Sequence, residues 1–341
     1  MKLRKTALIV GTVAAFLLSG PVLAEETAGT YKVGIVKFVD HASLNQIEEN
    51  VEKQLDVLSE ERGVTFDYEG YTFNGNADGS QLQSIGAQLV SDQVDVIIAI
   101  ATPAAQIMQA AAEDSGIPII FSAVTDPVGA NLAASLEEPG ANITGTSDAL
   151  NTETMMKLIF ANDPEADYIG LLYSNSEDGS KLPIKEAKEY LDAQGIKYIE
   201  KTGTNTDEVS QAVDALIAEG VDAVFTPTDN TIMNAELAIY EKLIEAGIPH
   251  FAGADSFALN GGFVGFGVNY EDLGEVTGTM AADLLTEKQD PATTPVITFD
   301  SGIATINTQT AEALGYDLEE VKTAFEPLCS AIIETETAEN F

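Results

Sequence analysis

The sequence is poor in cysteine and histidine, which limits the chemistry that its side chains can support. Its 341 residues include one cysteine, Cys329, and two histidines, His41 and His250. A single cysteine excludes an internal disulfide, and so few thiols and imidazoles disfavour a zinc site. The sequence also lacks a G-x-S-x-G motif, a P-loop and the glycine spacing of dinucleotide-binding proteins. We therefore expect no enzyme, no cofactor and no metal, although a catalytic pair among its many carboxylates stays open at this point.

Basic residues are scarce as well. Lys and Arg number 16 against 55 Asp and Glu, and the formal net charge is −39 at pH 7. Such a charge disfavours nucleic acid and anionic membranes as partners. Because the acidic residues are spread along the whole chain, we interpret them as a solvated surface suited to high salt rather than as one functional patch. A saline or alkaline habitat is a hypothesis that follows from this interpretation.

The first 24 residues differ from the rest of the chain. A basic start at Lys2, Arg4 and Lys5 precedes an uncharged apolar run, and small residues lead up to Ala24. This pattern predicts a secretory signal peptide cleaved after Ala24, because the apolar run is too short to span a bilayer comfortably. No cysteine stands directly after the run, at the lipid-attachment position, so we expect a periplasmic or secreted protein that is not a lipoprotein. Removal of the predicted signal peptide, which carries three basic residues, would take the net charge from −39 to about −42.

The remaining residues, about 317 of them, exceed the usual size of one hydrophobic core, so two lobes are expected. Residues 94–100 and 117–124 are mostly apolar, which is typical of parallel strands covered by helices on both faces. Between such runs, apolar residues recur at helical spacing, as at Leu44, Ile47 and Val51. The alternation predicts an α/β fold with doubly wound, Rossmann-like sheets.

The second half of the chain repeats the plan of the first. Thr102-Pro103 follows a predicted strand, and the next helix ends at Gly116-Ile117-Pro118. In the second half, Thr226-Pro227 likewise follows a predicted strand, and the next helix ends at Gly247-Ile248-Pro249. Two lobes of like topology explain this repeat better than one large sheet does.

Extended segments between the predicted elements bear on how the lobes are joined. The glycine-rich stretches 140–147 and 261–270 are expected to cross between the lobes, and multiple crossings form a hinge.

Residues 64–73 are expected to form one strand. Residues 295–300 and 303–307 are expected to form a last strand pair.

Ligands of open α/β sheets bind beyond the carboxyl ends of the strands, and the loops at those positions are rich in Ser, Thr, Asn and Asp. Each such residue could instead cap a helix. None of these loops contains Lys or Arg, so a ligand carboxylate would have to sit on helix N-termini, near Thr102, Ser122 and Thr125. Asp229 or Asp255 could face a ligand ammonium. The loops therefore suit a zwitterion such as an amino acid.

Six segments carry a resemblance to a known family: KVGIVKFVDHASLN (32–45), IAIATPAAQ (98–106), IIFSAVTDPVGA (119–130), NITGTSD (142–148), LLYSNSEDGS (171–180) and TPTDN (226–230). In this order they resemble the substrate-binding proteins of ABC importers, in the group related to tryptophan and tyrosine uptake receptors. The resemblance implies a type I periplasmic-binding-protein fold, with two Rossmann-like lobes, three crossovers and a ligand in the cleft. It also implies delivery of the ligand to a membrane permease powered by a separate ATPase.

The resemblance extends to particular residues. Ala123-Val124-Thr125 is similar to a stretch that holds the α-carboxylate and α-amine in related amino-acid receptors, and Asp229 matches an aspartate that holds the amine. One departure is Ala42, where many relatives carry proline. The predicted ligand-binding residues are Phe38, Thr102, Ser122, Ala123, Thr125, Ser147, Ser174, Asn175, Asp229, Asn230 and Asp255.

The predicted N-terminal lobe comprises residues 31–145 and about 271–298, and the predicted C-terminal lobe comprises residues 146–268 and about 300–320. Residues 322–341 are assigned to an acidic tail. The predicted protein is a monomer that captures a small ligand, an amino acid that could be aromatic, for an ABC importer. The alternative is a sensory receptor of the same fold that signals to a membrane kinase or chemoreceptor.

Overall fold

The computed structural model describes residues 29–338, so the predicted signal peptide lies outside the described residues. Within this range the chain forms two lobes, each built on a seven-stranded sheet with helices packed on both faces. The predicted α/β class with two Rossmann-like lobes is therefore confirmed.

The strands are β1 (Thr30–Lys37), β2 (Thr65–Asp67), β3 (Thr72–Asn74), β4 (Val96–Ile100), β5 (Ile119–Ser122), β6 (Ile143–Ser147), β7 (Tyr168–Tyr173), β8 (Lys197–Thr202), β9 (Ala223–Thr226), β10 (His250–Ala252), β11 (Val264–Gly267), β12 (Ile297–Thr298), β13 (Ile303–Asn307) and β14 (Ala331–Thr335). The α-helices are α1 (Ala42–Arg62), α2 (Gly79–Ser91), α3 (Thr102–Ala112), α4 (Thr152–Asn162), α5 (Lys181–Gln194), α6 (Thr206–Glu219), α7 (Asn230–Glu245), α8 (Asp255–Leu259), α9 (Tyr270–Glu287), α10 (Thr308–Ala313) and α11 (Leu318–Phe325). A short 3-10 helix spans Asp178–Ser180.

The sheet of the N-terminal lobe has the order β12-β6-β5-β4-β1-β2, and β3 also pairs with β1. All of these pairings are parallel. The central strand β4 is buried at every residue, as its wholly apolar sequence requires. Helices α1 and α9 approach closely because Gly274 has no side chain: a Cβ there would lie 2.7 Å from the carbonyl oxygen of Ile47.

The sheet of the C-terminal lobe has the order β14-β13-β11-β10-β9-β7-β8. Its pairings are parallel except that β13 runs antiparallel to β11. The predicted acidic tail contains β14, which pairs with β13 along its length. The fully buried side chain of Phe325, at the end of α11, packs in the core of the same lobe.

Two predictions about strands are wrong. Residues 64–73 form two strands, β2 and β3, because a turn closed by a 2.8 Å hydrogen bond from Tyr71 N to Tyr68 O separates them. The predicted last strand pair does not form either. Strand β12 pairs with β6 in the N-terminal lobe, whereas β13 pairs with β11 in the C-terminal lobe, since the chain crosses between the lobes after β12.

The chain passes between the lobes three times, after β6, after β11 and after β12. All of these crossings lie beside the edge where the two sheets face each other, and such an arrangement permits hinge motion. In residues 29–338, no helix is both long and apolar enough to cross a membrane. The same residues form no cluster of three or more His, Cys, Asp or Glu side chains that could hold a metal ion.

Candidate functional site

A small cavity of about 20 Å³ lies between the two lobes. It is at the carboxyl ends of β1, β4, β5 and β6 of one sheet and of β9 and β10 of the other, the position where open α/β sheets bind ligands. As it stands it has room for about one water molecule. Its lining residues are His41, Ser43, Leu44, Ala101, Thr102, Ala123, Thr125, Asp148, Thr228, Asn230, Ala254 and Tyr270. A larger surface groove of about 400 Å³ opens at the amino ends of β5 and β6, away from this edge.

Direct contacts between the lobes hold the cavity closed. Ser43 Oγ donates to Asp255 Oδ1 at 2.7 Å, and Gln106 Nε2 donates to Asp178 Oδ2 at 2.7 Å. Gly179 of the C-terminal lobe lies against the hydroxyl-bearing residues that follow β4 and β5. The structure is therefore the closed arrangement of the two lobes, and a ligand larger than water requires them to move.

Asp148 is the buried acid of the site. Its carboxylate accepts hydrogen bonds from Thr125 Oγ1 at 3.1 Å and from the Tyr270 hydroxyl at 3.4 Å, and the residue is 5% exposed. Burial raises the pKa of Asp148 to about 6, although the hydrogen bonds it accepts oppose this shift. Among the described residues that line the cavity, none is Lys or Arg. Asp148 is thus a carboxylate without a cationic partner among residues 29–338, and a ligand ammonium could supply one.

Two helix N-termini at the cavity can receive an anion. The residues that precede α1 and α3, His41 and Ala101, make no side-chain capping hydrogen bond. The first-turn amides of both helices are therefore free of side-chain caps and carry the positive end of the helix dipole. Ala101 and Ala123 have φ values of 79° and 52°, a conformation that is costly for residues other than glycine and that clusters at functional sites.

The N-terminus of α7, in contrast, is already occupied by an anion from the protein itself. The buried carboxylate of Glu177 accepts hydrogen bonds from the backbone N–H groups and the side chains of Asn230 and Thr231, at 2.7–3.2 Å. Asn230 then reaches the other lobe, where its Oδ1 lies 3.2 Å from Nε2 of His41. This chain of contacts connects the two lobes beside the cavity.

Four of the predicted binding residues line the cavity: Thr102, Ala123, Thr125 and Asn230. Ser122 does not, because its hydroxyl lies 2.9 Å from that of Thr277 and 3.3 Å from that of Thr146, in a fully buried cluster inside the N-terminal lobe. Ser147 Oγ donates to the carbonyl oxygen of Thr125 at 3.4 Å. Phe38 packs against the hydrophobic core of the same lobe.

In the C-terminal lobe, Asp229, which was expected to face a ligand amine, lies outside the cavity lining. It is the N-cap of α7, accepting from Ile232 N, and its other oxygen accepts from Ser174 N and Ser180 Oγ at 2.7 Å each. Burial and the nearby charge of Glu177 raise the pKa of Asp229 to about 8. Both of its oxygens thus accept hydrogen bonds from within the lobe.

The remaining predicted residues also lie outside the cavity lining. Ser174 is buried beside Asp229, to which its backbone N–H donates, and its hydroxyl lies 2.7 Å from that of Ser176. Asn175 is exposed to solvent. Asp255 contacts Ser43 of the other lobe and so contributes to closure rather than to the cavity wall.

The most important residue that the sequence-based prediction missed is Asp148. It follows β6 directly, and the carboxyl end of a parallel strand is a position where a binding residue is expected. The glycine-rich stretch 140–147 predicts a crossing between the lobes rather than a strand, so Asp148 does not stand out as the residue after a strand. Tyr270, which donates to Asp148, was missed for the same reason, since it follows the second crossing. The other lining residues absent from the prediction are His41, Ser43, Leu44, Ala101, Thr228 and Ala254.

Two like α/β lobes, three crossings and a closed cavity between the facing sheet edges define a type I periplasmic binding protein. A family model described as ABC transporter substrate binding protein matches residues 32–326. The chain belongs to this family, which consists of solute-binding proteins and not of enzymes. The resemblance inferred from the sequence motifs is confirmed.

Individual relatives agree with this assignment. The chain is 34% identical over 284 residues to a tyrosine-binding protein of Clostridioides difficile (strain R20291), a match that covers 83% of this chain and 80% of the relative. It superposes on an ABC protein domain from Streptococcus pneumoniae in complex with L-Trp with a TM-score of 0.81 and 32% identity, over 89% of this chain and 100% of the other. A ligand-free, open substrate-binding protein with adhesive properties from Clostridium difficile gives a TM-score of 0.66 at 32% identity, over 90% and 100% of the two chains.

Proposed function

We propose that this protein is the extracytoplasmic solute receptor of an ABC importer and that its ligand is an α-amino acid held in the cleft between the two lobes. The observation that carries the proposal is the environment of Asp148. This carboxylate is buried at the cavity between the lobes with two hydroxyl donors, and the described residues that line the cavity include no Lys or Arg. Burying an ionised carboxylate is unfavourable unless a cation joins it, and the ammonium group of an amino acid is such a cation.

The N-termini of two helices can bind the carboxylate of the ligand. The uncapped N-termini of α1 and α3 meet the same cavity, and amides at a helix N-terminus bind carboxylates without a basic side chain. Thr102, the first residue of α3, also lines the cavity. A ligand with an ammonium group near Asp148 and a carboxylate near Thr102 matches this distribution of charge.

The relatives support an aromatic amino acid as the ligand. One is a tyrosine-binding protein and another was crystallised with L-Trp. The closed arrangement of the lobes gives the higher TM-score with the tryptophan complex, 0.81, and the lower one with the open, ligand-free protein, 0.66, at the same sequence identity. A difference in lobe closure accounts for this contrast better than sequence divergence does.

Binding is then coupled to closure of the two lobes. In the open form, water can solvate Asp148 and the helix ends. In the closed form these groups are removed from water, and a bound zwitterion compensates for the lost solvation. Closure without ligand leaves the Asp148 carboxylate without a cation, so the ligand shifts the population towards the closed form.

Titration calorimetry tests the proposal directly. Protein lacking residues 1–24 would be unfolded, refolded to release any ligand carried from the host, and titrated with the twenty amino acids, nucleosides and short peptides. We expect binding of tyrosine or tryptophan with a dissociation constant in the micromolar range or below, as is ordinary for a specific small-molecule site. Binding of a nucleoside or a peptide in preference to every amino acid would contradict the proposal.

The export signal belongs to the same proposal. We propose that the chain is cut after Ala24 and acts as a monomer outside the inner membrane, where it delivers its ligand to a membrane permease. N-terminal sequencing of the exported protein should then begin at Glu25. Retention of the intact N-terminus in the cytoplasmic fraction would contradict this part of the proposal without affecting the ligand assignment.

A further inference from the structure

The amide of Asn230 has one possible orientation, set by Glu177. The Glu177 carboxylate is 3% exposed and accepts from Asn230 Nδ2 at 2.8 Å and from three further donors on Asn230 and Thr231. A carboxylate surrounded by donors acts as an acceptor, so the NH₂ group of Asn230 must face Glu177. The amide oxygen of Asn230 is therefore the atom turned towards the N-terminal lobe.

That orientation in turn sets the tautomer of His41. Nε2 of His41 lies 3.2 Å from Asn230 Oδ1, and an amide oxygen only accepts hydrogen bonds, so the imidazole carries its proton on Nε2. Burial lowers the pKa of His41 to about 4, which keeps the ring neutral near pH 7. In this tautomer Nδ1 has a lone pair and no hydrogen, so it can only accept.

Nδ1 of His41 is an unused acceptor beside the cavity. His41 lines the cavity, is 7% exposed, and its Nδ1 has no hydrogen-bond partner in the described part of the chain. Thr228 Oγ1, from the opposite wall, is likewise buried without a partner. Buried polar atoms are nearly always paired, so two unpaired ones at a binding cavity point to a group on the ligand.

The ammonium of the ligand is already assigned to Asp148. His41 follows β1 and Asp148 follows β6, and β4 and β5 lie between these two strands. The donor that meets His41 is therefore assigned to another part of the ligand, its side chain.

We propose that His41 is a specificity-determining residue whose Nδ1 accepts a hydrogen bond from an O–H or N–H group on the ligand's side chain. The cleft then selects aromatic amino acids that carry a ring donor over those that carry none. This inference rests on the proposed function and deepens it. Asn230 and Glu177 are positioning residues, because they act on the ligand only through the tautomer of His41.

Matched ligands test the proposal on the unaltered protein. Tyrosine and 4-fluorophenylalanine are similar in size, but only tyrosine has a ring donor. Tryptophan and 3-benzothienylalanine form a second pair, in which sulfur replaces the indole N–H. By calorimetry we expect the ligand with the donor to bind at least about tenfold more tightly in the pair that the protein accepts, because sites built for a hydrogen bond discriminate strongly against analogues that lack it.

The variant His41→Leu links this preference to one side chain. Leucine has no hydrogen-bond acceptor, so the preference should fall to less than about twofold if the hydrogen bond to Nδ1 is its source. A preference that persists in His41→Leu, or equal binding of the matched ligands by the unaltered protein, would overturn the inference while leaving amino-acid binding intact. Binding of no amino acid at all would overturn the proposed function together with the inference. The matched-ligand comparison needs no variant, so it decides the question even if His41→Leu does not fold.

Discussion

The Thr125 hydroxyl donates a 3.1 Å hydrogen bond to the Asp148 carboxylate, and this contact joins the ends of the neighbouring strands β5 and β6. It places a buried negative charge at the cavity and gives it a neutral partner. A hydroxyl stabilises the carboxylate only in part, as the raised pKa of Asp148 indicates. Several of the consequences can be measured.

Ligand affinity should depend on pH through Asp148. Its pKa in the closed protein is raised by burial to about 6, and a ligand ammonium favours only the ionised carboxylate. Protonation competes with the ligand in the free protein, whose open form exposes Asp148 to water and so gives it a pKa below that of the closed form. Affinity should therefore be constant above about pH 7 and fall, by up to about tenfold per pH unit, once the pH drops below the pKa of Asp148 in the free protein. Calorimetry between pH 4 and pH 8 measures this.

The variant Asp148→Asn is the control for that pH series, since Asp255 is half-buried near the cleft and also has a raised pKa. Whatever affinity the variant retains should depend on pH much less than that of the unaltered protein between pH 4 and pH 8. An affinity of the unaltered protein that stayed flat through this range would show that Asp148 does not pair with the ligand.

Asp229→Ala should affect stability and not ligand recognition. The change removes the N-cap of α7 and leaves the backbone N–H of Ser174 without its buried acceptor. Loss of the cap and of this acceptor should lower the free energy of unfolding by about 2–4 kcal/mol, measured by urea titration. The affinity of the folded variant should stay within about threefold of the original, because a residue outside the cavity lining contributes no direct ligand contact. A large loss of affinity with unchanged stability would restore Asp229 as a ligand residue.

Gly179→Val should hinder closure. A Cβ at this position would lie 3.3 Å from Thr102 Oγ1 and 3.5 Å from Thr125 Oγ1, both on the other lobe. Each lobe should still fold, but the added methyl groups would meet the opposite wall, so affinity should fall by at least about tenfold through loss of the closed form.

Small-angle scattering measures that closure separately from affinity. The unaltered protein should become more compact on adding ligand, and Gly179→Val should not. Gly70→Val is the matched control, since a Cβ at Gly70 has no heavy atom within 4 Å. Equal compaction of all three proteins would contradict the assignment of Gly179 to the closing contact.

Salt should stabilise the folded protein. With a net charge of −39, the folded chain repels itself, and raising the salt concentration from 0.1 M to 1 M shortens the screening length from about 10 Å to about 3 Å. The urea midpoint should therefore rise with NaCl, and equally with KCl. A midpoint that did not change would argue against the acidic surface as an adaptation to salt.

The sequence was sufficient to predict the fold and part of the site, and the errors have physical causes. Strands such as β4 can be predicted from the sequence because both of their faces are buried, so all of their residues are apolar. Thr102 and Thr125 could be selected because they follow such strands. Asp229 could not be assigned correctly, since an aspartate before a helix serves equally well as a cap or as a ligand residue, and only the three-dimensional partners decide. Asp148 was missed because β6 contains glycine, threonine and serine, a composition that does not predict a buried strand.

The interaction of His41 with Asn230 lies further beyond sequence reasoning. The two residues are 189 positions apart in the chain and meet only when the lobes close. The alternation of strands and helices fixes each of them near a sheet edge, but it does not indicate which loops of one lobe face which loops of the other. That information comes from the crossings, whose geometry depends on the packing of both lobes.

The central claim, that Asp148 holds the ammonium group of an amino acid, is tested most directly by a thermodynamic cycle. Tyrosine and its deaminated analogue 3-(4-hydroxyphenyl)propionate, or the corresponding tryptophan pair, would be titrated into the unaltered protein and into Asp148→Asn. Removing either the ammonium or the carboxylate should cost about 2–5 kcal/mol of binding free energy, and removing both should cost little more, because each loss leaves the other charge unpaired. Independent, additive losses would contradict the account.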